Sequence, residues 1–313
     1  MDFKKAASVG LEISQGYISA VELEFKDKAA FLKKSGKIEL PPLLVTPSFR
    51  EENISDAEKF KAAIKNLFDN TGINGKPLIE TFRGRHIAVA LPDASVKISF
   101  LEFEDIPKER EKIIELIAWN LKKVLPFSSH EAIVDFQILD TPSGESRSYR
   151  LVATLIKKDI LEQYENLLGG CHLIPDIIIP SSFALYNLYH DCVLEVPLCA
   201  IVALSKKKII VIVVEHGKPC FHRTKELDSE RDALREILTS LNYYQDIDGE
   251  MPARIYLVDN GLEAVQLKTD MEMYFGGIEI QPIGLSDAIK GVNGSMNVFS
   301  GAAGAALNRE NEK

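Results

Sequence analysis

Residues 201–215, IVALSKKKIIVIVVE, set two apolar runs, 201–204 and 209–215, on either side of the turn Ser205-Lys206-Lys207-Lys208. Runs this short and this rich in Val and Ile read as buried strands. The turn has two readings. Three cations in so short a space can cradle a phosphate, or they can form a solvated hairpin tip, because lysine is common at exposed turns and strand edges. The surrounding sequence has to decide.

Working outward, 199–204, 209–215 and 219–224 form three strands with short polar turns. Asp228 or Ser229 then caps a helix with the apolar stripe Leu234, Ile237, Leu238 and Leu241. The N-terminal part follows the same plan. Strands at 8–13, 17–25 and 29–40 precede a helix opened by a Ser55/Glu58 capping box, striped with Phe60, Ile64, Leu67 and Phe68, and stopped by Gly72. A three-strand-plus-helix unit that appears twice predicts two similar lobes. Between them, strands at 86–91 and 95–102, a helix carrying Ile113, Ile114, Ile117 and Leu121, strands at 132–139 and 149–156, and a helix at 159–168 suit a small α+β module. After it come a short strand at 177–179 and a helix capped by Ser181 or Ser182. A strand at 254–258, a helix from 262 to about 275 and a strand at 278–281 follow. The closing SGAAGAAL (300–307) reads as a small-residue helix able to lie close against neighbouring backbone.

The 313 residues suggest two domains or one bilobal unit. A net charge of −9 argues against nucleic acid or an anionic membrane as the main partner. The N-terminus lacks the apolar stretch of a secretory signal, and no apolar run reaches the roughly 18 residues of a spanning helix. Cys171, Cys192, Cys199 and Cys220 show no metal-ligand spacing and read as reduced core residues of a cytosolic protein. Trp119 fits core and partner surface equally. Arg83 and Arg85 flank Gly84 as an anion clamp or as part of a solvated linker, and no hydrolase, metalloprotease or Walker motif is present.

Taken in order, VGLEISQGYISAVEL (9–23), VALPDASVKISFLEF (89–103), ELIAWNLKKVLPF (115–127), AIVDFQIL (132–139), LVATLIKKDILEQYENLL (151–168), IIIPSSFALYNLY (177–189) and GAAGAAL (301–307) resemble the actin-like ATPase superfamily. Within it, they resemble the PilM-type pilus assembly proteins, relatives of FtsA. The resemblance implies an α/β, two-lobed actin-like (ribonuclease H-like) fold with an inserted α+β subdomain. The expected first lobe is 1–85 with 172–197 and 298–313, the subdomain is 86–171, and the second lobe is 198–297.

The superfamily holds hydrated magnesium with an Asp in each of two hairpins, beside glycines that admit phosphate. Here the first hairpin offers Glu12, Ser14 and Gln15, and the second Ala203, Ser205 and Lys206. Of the adenosine motif Asn260 and Gly261 remain. The resemblance with these departures implies a degenerate nucleotide site: no enzyme, no required cofactor, and at most weak ATP/Mg binding. It further implies a cytoplasmic scaffold of type IV pilus biogenesis, held at the inner membrane by the cytoplasmic N-terminal peptide of a PilN-like bitopic protein. That peptide is expected between the first lobe and the module, near Arg83, Arg85, Pro126 and Phe127. The alternatives are an actin-like ATPase or filament former and a GspL-like type II secretion component.

Overall fold

The computed structural model describes residues 9–27, 29–70, 85–142, 148–205, 208–259, 264–292 and 296–307. Two five-stranded sheets share one topology. The first runs β3–β2–β1–β4–β8 and the second β11–β10–β9–β12–β13. The first comprises β1 (Val9–Ile13), β2 (Tyr17–Lys26), β3 (Ala29–Glu39), β4 (Arg85–Leu91) and β8 (Leu173–Pro180). The second comprises β9 (Leu198–Ser205), β10 (Lys208–Glu215), β11 (Lys218–Glu226), β12 (Arg254–Asp259) and β13 (Glu279–Ile283). In each, an antiparallel three-stranded meander continues into two parallel strands.

The 201–215 stretch forms the expected hairpin, and its composition follows from two-sided burial. Cys199, Ile201, Ala203, Ile210, Ile212 and Val214 face one apolar cluster, while Ala200, Val202, Leu204, Ile209, Val211 and Val213 face another. A sheet covered on both faces needs apolar side chains at every position, whereas a half-solvated strand alternates.

The layers therefore stack as helices, sheet, helices, sheet, helices. On the outer side of the first sheet, α1 (Ala57–Asn70) and α3 (Lys158–Gly170) pack Phe60, Ile64, Tyr164 and Leu168 against Leu11, Val89 and Leu91. On the outer side of the second lie α5 (Ala233–Asp248) and α6 (Ala264–Tyr274). The middle layer is α4 (Ser181–Val193) and α8 (Ser300–Ala306), which meet residues of both sheets in one cluster. A short helix, α7 (Leu285–Ala288), leads toward the chain segment around Lys290, which bridges to Phe31 on the edge strand β3.

The third sheet, β5–β7–β6, comprises β5 (Lys97–Phe103), β6 (Ala132–Asp140) and β7 (Tyr149–Lys157), all antiparallel. Helix α2 (Arg110–Leu121) covers one face with Ile113, Ile117 and Leu121. The sequence expectation placed the strand at 86–91 and the helix at 159–168 inside this module. Instead, β4 pairs with β1 and β8 in the first sheet, and α3 packs in that sheet's core. The parallel β1–β4 pairing buries both faces of β4, which a three-stranded module could not do. Two boundaries also shift. The cap of α1 is Asp56, whose carboxylate accepts from Lys59 N at 3.0 Å, while Ser55 Oγ donates to Leu43 O. Helix α3, expected to stop at 168, continues through Gly169 and Gly170. Gly72, expected to stop α1, lies outside the described residues.

The final helix has the close approach its composition suggested. A Cβ on Gly10 would stand 1.8 Å from Ala302 O, and one on Gly304 would stand 1.8 Å from Ala184 O. Helix α8 thus touches β1 on one side and α4 on the other, backbone against backbone. Overpacking of a rigid core costs about 1–3 kcal/mol and more where backbone must move. Gly304→Ala is accordingly expected to lower stability in chemical denaturation by about 3 kcal/mol or to prevent folding. Gly16→Ala, with nothing within 4 Å of the added methyl, should leave it unchanged.

Candidate functional site

The two meander hairpins aim at one region between the sheets. In the first, the β1–β2 turn is closed by Ser14 N donating to Tyr17 O at 2.9 Å, with Gln15 exposed at its tip. Glu12 precedes it on β1, on the face that looks at α8. Its carboxyl is buried beneath Gly301, where a Cβ would stand 2.3 Å from Glu12 Cδ, and Ser19 Oγ donates to Oε2 at 3.4 Å. In the second hairpin, Ser205 Oγ donates to Lys208 O at 3.3 Å across the turn. Ala203, where the superfamily pattern has a carboxylate, contributes only a methyl to the middle layer.

Of the three lysines, Lys206 and Lys207 lie outside the described residues. Lys208 opens β10, half-buried, and its ammonium donates to Ser181 Oγ at 3.4 Å. It faces two buried carboxyls, Glu12 and Asp93. Lys208 is thus drawn inward from the turn, toward the start of α4.

Asp93 was not singled out in the sequence. It stands in a 3-10 turn just after β4, with its side chain 3% exposed. Its Oδ1 accepts from Ser182 N at 3.0 Å and Ser182 Oγ at 2.9 Å, so the cap expected from Ser181 or Ser182 comes from a distant carboxylate. Its Oδ2 accepts from Thr224 Oγ1 at 2.9 Å and lies 3.8 Å from His222 Nε2. The acidic residue directly after an apolar strand, in Leu91-Pro92-Asp93, is the one local signal that marks it. His222 belongs to the same cluster.

The two acids diverge. Burial would raise Asp93, but the nearby His222 ring, the Lys208 charge and the Ser182 amide together hold it well below the usual carboxylate range. Burial dominates at Glu12 and lifts it from 4.5 to about 7, against the Lys208 charge and the Tyr17 and Ser19 hydrogen bonds. A carboxyl whose pKa is raised on folding binds more protons folded than unfolded between those two values, so its contribution falls as pH rises through that window. Glu12→Gln removes the ionisation. At pH 8 it should stabilise the protein by up to about 3 kcal/mol, shrinking to nothing below pH 4.5, as read by urea denaturation across pH.

The remaining expected site residues fall into two groups. Arg83, Asn260 and Gly261 lie outside the described residues, as does the side chain of Arg85. Arg85 begins β4, opposite Leu173, whereas the module leaves from the Leu91 end, roughly 20 Å along the strand. Arg85 therefore does not flank the module. Pro126 is exposed after α2, and Phe127 packs its ring 4.9 Å from Phe49, joining the module core to the loop before α1. Trp119 is exposed at 65%, which removes the core reading.

A groove of about 340 Å³ opens beside the module. Its walls are the β6–β7 face turned away from α2 (Ile133, Gln137), β8 (Ile178, Ile179) and the start of α4 (Phe183). The charged residues lining it are Asp135, Glu165 and Asp176. Asp135 pairs with Arg110, and Asp176 lies 2.7 Å from His86 Nδ1.

Paired sheets of this topology, packed on a shared helical layer with a small third sheet inserted, define an actin-like fold. Solved structures agree. The PilM–PilN type IV pilus biogenesis complex matches with a TM-score of 0.75 at 18% identity, over 97% of this chain and 98% of that one. A Bacteroides thetaiotaomicron protein of actin-like ATPase fold and unknown function matches at 0.55 and 12%, over 99% of each chain. The cytoplasmic domain of EpsL, an inner-membrane component of the Vibrio cholerae type II secretion system, matches at 0.52 and 10%, over 96% of this chain and 95% of that one. No protein-family model and no curated protein matches the sequence. Among the described residues, no helix is long and apolar enough to cross a membrane.

Proposed function

We propose that this chain is a non-enzymatic, cytoplasmic scaffold of a type IV pilus machine that grips the N-terminal tail of a PilN-like inner-membrane protein. The observation that carries the proposal is the groove between the first sheet and the inserted module, in a chain similar over nearly its whole length to the PilM–PilN complex. The groove has apolar walls for anchoring side chains, and its charged lining groups are carboxylates, features an extended peptide can use. Its charge favours a tail carrying Lys or Arg beside aliphatic residues.

The residues between the hairpins do not fit hydrated magnesium. Glu12 is covered by Gly301, Ala203 supplies no ligand, and Lys208 already brings a positive charge to the two acids. This supports a degenerate nucleotide site and a role in assembly rather than hydrolysis. Attachment at the membrane then comes from the partner. The type II secretion alternative has weaker support, a TM-score of 0.52 against 0.75.

The test is fluorescence anisotropy with a labelled synthetic peptide of the PilN-like N-terminal tail. Glu165 and Ile133 are exposed groove residues whose replacement leaves the core untouched. Glu165→Lys and Ile133→Asp should each weaken binding about tenfold, near 1.4 kcal/mol. Circular dichroism should be unaltered. Failure of the parent protein to bind, or equal binding by both variants, would overturn the reading.

A further inference from the structure

The β10–β11 hairpin is held at both of its ends by residues from outside its own sheet. At the far end, Arg150 Nη1 donates to Glu215 Oε2 at 3.1 Å and Lys218 Nζ to Asp140 Oδ1 at 2.5 Å, both joining the inserted module, and Tyr186 Oη donates to Gly217 O at 2.6 Å. At the near end stands Asp93. Its single carboxylate receives Ser182 N and Oγ from the middle layer, Thr224 Oγ1 from β11, and the nearby His222 ring, with Lys208 of β10 on Ser181 beside it. Three separate pieces of the molecule thus meet on one buried acid: the corner that leaves the first sheet, the start of α4, and the second sheet's hairpin.

We propose that Asp93 is an intramolecular latch that fixes the second sheet against the first with no ligand between them. The chemistry suits the task. Hydrogen bonds to an ionised acceptor are stronger than neutral ones, and a carboxylate this buried is costly unless donors surround it. Swinging the hairpin away removes Thr224, His222 and Lys208 together and leaves only Ser181 and Ser182. The Thr224 bond to Asp93, the nearby His222 ring and the Lys208 bond to Ser181 are thus coupled, because one hairpin carries all three groups. Because these contacts are between the protein's own groups, the relative position of the two sheets is set before any partner arrives. The latch goes beyond the peptide-holding role and stands or falls separately from it.

Hydrogen exchange of the intact chain, followed by mass spectrometry, tests the latch. Asp93→Asn keeps the shape and loses the charge, whereas Thr224→Val removes the contact between sheets, together with the Thr224–His222 bond inside β11, and spares the cap on α4. In Asp93→Asn, amides of β10, β11 and residues 181–184 should exchange at least tenfold faster, while those of α1 and α3 keep their parent rates. Thr224→Val should show the same local pattern at a severalfold level, and it decides the matter if Asp93→Asn does not fold. Parent rates at the hairpin in a folded variant would overturn the proposal. So would a uniform rise across the whole chain, because that would make Asp93 an ordinary contributor to stability.

Discussion

The contact on which the rest depends is the backbone approach of α8 to β1 and α4. Helix and strand can come that close only because Gly10, Gly301 and Gly304 present no Cβ at the crossing points. The approach makes a single helical layer serve two sheets, with Ala88, Ala90, Ala184 and Ala305 filling what little space remains. It also decides the chemistry between the hairpins. Gly301 lies directly over Glu12, so a carboxyl that would otherwise face the cleft is dehydrated, and its pKa moves toward neutrality.

The cleft and the groove then divide the charge between them. Between the hairpins, the acids Glu12 and Asp93 are answered by the protein's own Lys208 and His222, and hydroxyls and an amide complete the coordination of Asp93. A region whose charges are already matched from within has little left to offer a metal or a polyphosphate. In the groove beside the module the balance is different. Its apolar walls are open, and Glu165 sits at the rim with no ion-pair partner among the described residues. This contrast is what the proposal of a peptide-binding scaffold, rather than an ATPase, draws on.

Much of this was legible in the sequence because it is local. The unbroken apolar runs of β9 and β10 announce two-sided burial, the repeated strand–strand–strand–helix order announces two like sheets, and SGAAGAAL announces a helix that approaches backbone. Contacts across long chain separations were not legible. Asp93 reaches Ser182 and Thr224 over separations of 89 and 131 residues, and nothing near Asp93 names those partners. Lys208 could not be told from Lys206 and Lys207, since only the β10 register turns it toward Ser181. The strand at 86–91 was placed in the module for the same reason. It adjoins the module in sequence, and its parallel pairing with β1 is a tertiary fact. The partner region was expected near Arg85 from its place along the chain. The length of β4 carries that residue to the opposite end from the module.

The central claim is that the two sheets are held together by the protein itself and need no nucleotide. Small-angle X-ray scattering of the intact chain, recorded with and without millimolar ATP and magnesium, tests it most directly. The account predicts superimposable profiles and one radius of gyration. Contraction on adding the nucleotide would mean that the cleft is open in its absence and that ATP, not Asp93 and Lys208, brings the sheets together.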